Sequence, residues 1–176
     1  MPAYDRGAII HKFGTLIEKH VEELAVIETL NNGKPLLNSR TEDVPLSAKY
    51  FIYYSGWCDK IKGSTLETNG PYYAMTKKIP VGVIAQIIPW NYPLMMLAWK
   101  MAPALAAGCT VVLKSAEQTP LSALYLGELV KEAGFPNGVV NIISGDGKTG
   151  AMLTHHPQIN KVAFTGSTEV GYKIMR

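Results

Sequence analysis

The spacing of apolar and polar positions changes character near residue 80. Before it the period is helical: Phe13, Leu16, Ile17, Leu24 and Ile27 form one stripe over residues 11–29, with Lys12, Glu18, Lys19, Glu22 and Glu23 largely opposite. Asn31, Asn32 and Gly33 supply a left-handed stop, and Pro35 keeps the helix from resuming. His20 lies on the apolar stripe and reads as a boundary histidine, not a ligand. A second helix is predicted over residues 43–60, with Pro45 in its first turn, Tyr50, Phe51, Tyr53, Tyr54 and Trp57 along it, and Gly63 closing it. Such an aromatic row marks core or a subunit contact. Residues 65–79, broken by Asn69, Gly70 and Pro71, predict two short strands joined by a turn, a pair that could extend a neighbour's sheet.

From Pro80 onward strands and helices alternate. Residues 81–88 are nearly all Val, Ile and Ala, the pattern of a strand covered on both faces. Pro89, Trp90, Asn91, Tyr92 and Pro93 form a turn, residues 94–107 a long apolar helix, and after Gly108 a strand covers residues 110–113. Thr119 is the expected N-cap of a helix to Ala133, with Pro120 at its first position and Gly134 after it. A third strand follows at residues 139–143, a short helix after Gly145 ending near His155, a fourth strand at residues 161–164, and a last helix opened by Thr165, Gly166 and Ser167 and running to Arg176. This alternation implies right-handed crossovers and a doubly wound, parallel sheet, Rossmann-like if its strands take the usual order 3-2-1-4. The expected division is residues 1–79, helices and strand pair, and residues 80–176, an incomplete dinucleotide-binding domain. The fourth strand would then be an open apolar edge, and the isolated chain marginal and prone to aggregate.

Composition narrows the function classes. The net charge of +3, with no basic run longer than Lys77-Lys78, argues against nucleic acid. Residues 81–99 carry no charge, but Pro89, Asn91 and Pro93 interrupt them, which argues against a membrane span. The N-terminus shows no basic-then-apolar leader, so a cytoplasmic setting is expected. Cys58 and Cys109 are too far apart for a CxxC or zinc motif and read as core residues of a reducing compartment. His155 and His156 are adjacent and point to different helical faces, so no metal site is expected.

Two glycine-rich motifs compete for attention. Gly145, Gly147 and Gly150 fit G-x-G-x-x-G between a strand and a helix, where a dinucleotide pyrophosphate could sit or where the chain could simply turn. The acidic residue that should follow about twenty positions on could only be Glu169, in a helix. A phosphate loop needs glycine at position 142, where Ile142 stands.

Five ordered blocks give a more specific signal. Ile87-Ile-Pro-Trp-Asn-Tyr-Pro93, Ala98-Trp-Lys-Met-Ala-Pro-Ala-Leu-Ala-Ala-Gly108, Lys114-Ser-Ala-Glu-Gln-Thr-Pro120, Lys131-Glu-Ala-Gly-Phe-Pro136 and Phe164-Thr-Gly-Ser-Thr-Glu-Val-Gly171 closely resemble the NAD(P)-dependent aldehyde dehydrogenases. Glu28-Thr-Leu-Asn-Asn-Gly-Lys-Pro35 and Tyr53-Tyr-Ser-Gly-Trp57 extend the resemblance over nearly the whole chain.

The resemblance implies a cysteine thiolate that attacks an aldehyde, hydride transfer to a nicotinamide, and a glutamate-activated water that releases the acid. It casts Asn91 as the donor facing the developing oxyanion; on sequence alone Asn91 could also serve only as a helix cap. Lys114 and Glu117 would bind the adenosine ribose hydroxyls, the carboxylate disfavouring the extra phosphate of NADP, so NAD is expected over NADP. Ile88, Pro89 and Trp90 would line the cofactor cleft, Gly145 would allow close approach, Gly166 and Ser167 would begin a helix whose free N–H groups take the pyrophosphate, and Asn91, Phe164, Val170 and Gly171 would be further cofactor-binding residues. The family's general-base Glu-Leu-Gly-Gly segment and its Gly-Gln-x-Cys setting are not found, and neither cysteine here has that context. A fragment inactive on its own is therefore expected, from an enzyme whose intact relatives form homo-oligomers. The alternatives are a non-catalytic nucleotide-binding or interaction protein derived from the family, and another Rossmann-type dehydrogenase.

Overall fold

A computed structural model describes residues 1–175. Helix α1 spans Ala3–Lys19 and α2 spans Val21–Asn32. The single helix expected at residues 11–29 is thus two: it starts eight residues earlier and breaks at His20, whose φ of −99° and ψ of 23° leave the helical region. An unbroken apolar stripe hides such a break, because Leu16, Ile17 and Leu24 are buried on both sides of it. Gly33 caps α2 in the left-handed region at φ 85°, as the Asn-Asn-Gly sequence requires.

Helix α3 (Leu36–Asn38) runs through a π-helical turn at Ser39–Asp43 into α4 (Val44–Ser55). The second helix therefore begins before Asp43 and ends five residues short of Lys60, at the Gly56 cap. β1 (Thr65–Leu66) and β2 (Ala74–Met75) form the expected antiparallel pair, apart from the main sheet. Leu66, Tyr72, Tyr73 and Met75 are all exposed on it.

The main sheet contains β3 (Val83–Ile87), β4 (Thr110–Ser115), β5 (Val140–Ser144) and β6 (Lys161–Phe164), all parallel, in the order β5-β4-β3-β6. That is the doubly wound order expected. β3 begins two residues late because the Asn160 side chain takes the Val83 N–H at 2.8 Å. α5 (Pro93–Ala106) and α6 (Leu121–Ala133) cross from β3 to β4 and from β4 to β5. The return from β5 to β6 goes through α7 (Gly147–Thr154), and a right-handed crossover in the reverse direction places α7 on the opposite face. α8 (Thr168–Met175) follows β6; its expected end at Arg176 lies outside the described residues.

The core explains why these helices stay. α5 buries Leu94, Leu97, Ala98, Met101, Ala102 and Leu105, a helical stripe, against the sheet and α4. Phe13 of α1 meets Phe51 of α4 edge to face at 4.7 Å and Phe135 at 5.7 Å. Residues before and after position 80 thus share one apolar cluster. Cys58 and Cys109 are both buried and unpaired, as their contexts suggest. Thr119 does not cap α6: the N-cap is Pro120, and Asn31 of α2 supplies the acceptor for Leu121 N–H at 3.3 Å.

Candidate functional site

Parallel pairing puts the carboxyl ends of all four strands on one edge. In register, Ile87 lies beside Lys114 and Phe164, and Lys114 beside Ile143. The connections diverge at β3, toward β4 on one side and β6 on the other, so a crevice opens where the chain leaves Ile87. Such a reversal point is where open α/β sheets take ligands.

Alternation along β4 sends Val111 and Leu113 into the core and Lys114 to the α7 face. A Cβ built on Gly150 of α7 would lie 3.6 Å from Lys114 Cε, so the helix lies against the lysine stem. Lys114 Nζ donates to the Gly145 carbonyl and stands 3.8 Å from Glu117 Oε2. Burial lowers the Lys114 pKa, while Glu117 and Asp146 pull it back up. Glu117 is half exposed, leaving its carboxylate open to a ligand.

The turn after β3 starts from backbone joined to the same lysine, since Ile88 N–H donates to Lys114 O at 3.2 Å. Ile88 is buried in the core, Pro89 is half-buried, and Trp90 and Asn91 are exposed. Pro93 occupies the first position of α5.

Across the crevice, Thr165 N–H donates to Ile87 O at 3.1 Å. The Phe164 ring lies under the following turn: a Cβ on Gly166 would approach Phe164 Cζ to 2.5 Å, and one on Gly171 would meet the ring at 3.7 Å. Ser167 Oγ accepts from Val170 N–H at 3.3 Å and so caps α8. Val170 is exposed, as is Gly166.

The sequence-derived residues therefore share one sheet edge but form separate contacts. Lys114 touches both Glu117 and Gly145; Phe164, Gly166 and Gly171 make a second cluster; Asn91 follows the β3 strand that lies between them. Gly145 has a packing reason of its own, since a Cβ there would meet Thr149 Oγ1 at 2.3 Å. The G-x-G-x-x-G turn is already capped by an anion: Asp146 Oδ1 accepts from Lys148 and Thr149 N–H at 2.9 and 3.2 Å. His155 and His156 each bond locally, to Ala151 O and Gln158 N–H.

The contacts of three residues, Lys100, Asn32 and Glu28, escaped the sequence reading. Lys100 Nζ donates to Thr165 Oγ1 at 2.7 Å, bringing a lysine of α5 to the loop after β6, where burial lowers its pKa. Its carbonyl accepts from buried Gln86 Nε2 at 2.9 Å. Asn32 Nδ2 donates to Trp90 O and Asn91 O at 2.7 and 3.1 Å. Buried Glu28 accepts from Leu94 N–H at 3.3 Å. The only signal for Lys100 was a cation on an apolar helix; nothing local marked the other two.

This geometry recurs in known proteins. Residues 1–176 match the model of the aldehyde dehydrogenase family. The chain is 55% identical over 172 residues to retinal dehydrogenase 2 of Homo sapiens, covering 97% of this chain and 33% of that protein. It is 53% identical over 175 residues to a mitochondrial aldehyde dehydrogenase of Rattus norvegicus, with 99% and 34% covered. The NAD+ complex of an aldehyde dehydrogenase from Bacillus cereus superposes with a TM-score of 0.98 at 52% identity, covering all of this chain and 36% of that one. The chain thus spans about a third of the length of the relatives it matches. With a family match along its whole length and relatives more than half identical over nearly all of it, the chain belongs to the aldehyde dehydrogenase family.

Proposed function

We propose that this chain forms the first part of an NAD-binding unit in an enzyme that oxidises an aldehyde to a carboxylic acid. The observation that carries the reading is the Lys114–Glu117 pair, held at the carboxyl edge in register with Ile87 and Phe164. A half-open carboxylate beside an ammonium suits a vicinal diol, and the negative charge of Glu117 disfavours a phosphate in its place, so NAD is preferred to NADP. Ser167 and the start of α8 suit a pyrophosphate, whereas the Gly145–Gly150 turn, occupied by Asp146, repels one. A dinucleotide held there would supply the hydride acceptor. Asn91 offers an amide donor to the substrate oxygen on which charge develops, a role whose loss costs about 10²–10³ in rate.

Within this chain the chemistry stops at binding. Cys109 precedes β4 at the amino end of the sheet, opposite the site, and both thiols are buried; burial pushes that of Cys58 up. Neither is a competent nucleophile. The division at residues 79 and 80 and a cytoplasmic setting belong to the same reading.

Calorimetric titration with NAD and NADP, beside an assay of aldehyde-dependent NAD reduction, tests it. The expected result is saturable NAD binding, weaker NADP binding and no turnover; turnover at ordinary enzyme rates would overturn the inactivity, and no NAD binding would overturn the site. The exposed residues of the β1–β2 arm support a second reading, an interaction role toward a longer relative or another copy. It predicts pull-down of such a chain by this one, lost when Leu66 and Met75 are made polar.

A further inference from the structure

We infer that Glu28 and Asn32, one turn apart on α2, are positioning residues that hold the turn carrying Asn91 from both sides. The inference rests on the proposed role of Asn91. Two carbonyls in succession, of Trp90 and Asn91, converge on the single Nδ2 of Asn32 at 2.7 and 3.1 Å, which fixes the orientation of the peptide between them. Beyond the turn, α5 begins without a cap of its own: Tyr92 makes no side-chain cap bond and Pro93 has no N–H. The first free amide, of Leu94, is taken by Glu28 Oε1 at 3.3 Å. The carboxylate is fully buried and, among the described residues, its second oxygen has no partner. The buried side chain sets one oxygen on the first free amide of α5 and so caps the positive end of that helix.

Donor and acceptor thus come from one face of one helix. Lys34, just past the α2 stop, adds a third hold, its ammonium 4.0 Å from the Tyr92 ring centre. Asn31 faces the other way and caps α6. The Glu28-to-Pro35 block, which contributes no expected ligand-binding residue of its own, therefore acts through the turn it grips. Displacing a reacting group by about 1 Å can cost 10²-fold in rate, so a grip on the Asn91 backbone bears on chemistry.

The test is hydrogen exchange of the 176-residue chain, read by mass spectrometry at low concentration on peptides covering residues 89–97. Asn32→Asp keeps the volume and removes the donor, and Glu28→Leu removes the acceptor; each is expected to speed exchange there about tenfold, the loss of one hydrogen bond. Glu28→Gln keeps an oxygen for Leu94 N–H and is expected to exchange there no faster than the unsubstituted chain. Peptides over β4 and β5 stay unchanged in all three. A purely space-filling role would leave Asn32→Asp without effect. That result, equal exchange in Glu28→Gln and Glu28→Leu, or loosening spread over the whole chain would overturn the inference. Titration of the unsubstituted chain with NAD fails separately if the functional reading is wrong, so the two failures are distinguishable.

Discussion

Lys114 Nζ stands 3.8 Å from Glu117 Oε2, the lysine buried and the carboxylate half open. At that distance and with one partner half open to solvent the pair contributes little to stability, but burial of the lysine fixes where the ammonium points. Its anchor on the Gly145 carbonyl strengthens that. Lys114→Met is expected to weaken NAD binding about 10- to 100-fold, since a hydrogen bond from a charged group is worth about 1.5–3 kcal/mol. Glu117→Gln is expected to cost less and to narrow the gap between NAD and NADP. Isothermal calorimetry checks both; unchanged NAD affinity in Lys114→Met would remove the pair from the site.

Asp146 separates two places where a pyrophosphate could sit. Its carboxylate caps α7 through Lys148 and Thr149 N–H, so Asp146→Ala is expected to lower stability by about 1 kcal/mol. If α8 receives the phosphates, NAD affinity stays within about twofold, well under the 1.4 kcal/mol of a tenfold change. Tighter binding in the variant would instead return the glycine turn to the role its motif suggests. A urea melt and a titration on the same samples decide.

Burial raises the Glu28 pKa above its ordinary 4.5, with the Ser122 hydroxyl, the Leu94 N–H and the Lys34 charge opposing. A raised folded pKa means the native state holds a proton that the unfolded chain has released. The Glu28 contribution is therefore full below pH 4.5 and declines as pH rises through the folded value. Unsubstituted chain and Glu28→Gln, compared by urea melts from pH 4 to about 7, should diverge, the natural chain losing ground as pH increases. Parallel curves would mean that the carboxyl titrates as it does in water.

What could be read in advance follows from how far each signal reaches along the chain. Gly33, Gly134 and the Val/Ile runs act within a few residues, and they located the α2 stop, the end of α6 and the strands. Alternation and crossover handedness implied the parallel, doubly wound sheet, and its order is the usual 3-2-1-4 arrangement of such folds, which those two signals allow without singling out. His20 escaped because a helix break inside a continuous apolar stripe changes no period. Asp146 was legible as an Asx cap, but the glycines around it drew the eye to a ligand. Lys100 with Thr165, Asn32 with Trp90, and Glu28 with Leu94 join positions 58 to 66 residues apart, and only the folded chain brings them together. For Asn91, sequence supplied the location and family resemblance the role; the backbone clamp came from neither.

β6 lies at the end of the sheet order and pairs only with β3 among the described residues. Its Val162, Ala163 and Phe164 are half-buried, so its free side presents unpaired N–H and C=O groups flanked by apolar side chains. Such an edge recruits further strands. Ala163 packs against the core, and by alternation Val162 faces the other side. Val162→Lys is therefore expected to place a charge beside the edge without opening the core, and to reduce concentration-dependent light scattering of the chain. Ala163→Lys, by contrast, should unfold it, because the ammonium would enter the apolar cluster. A chain that melts cooperatively as a monomer at ordinary temperature, with scattering indifferent to Val162→Lys, would show that this edge recruits nothing.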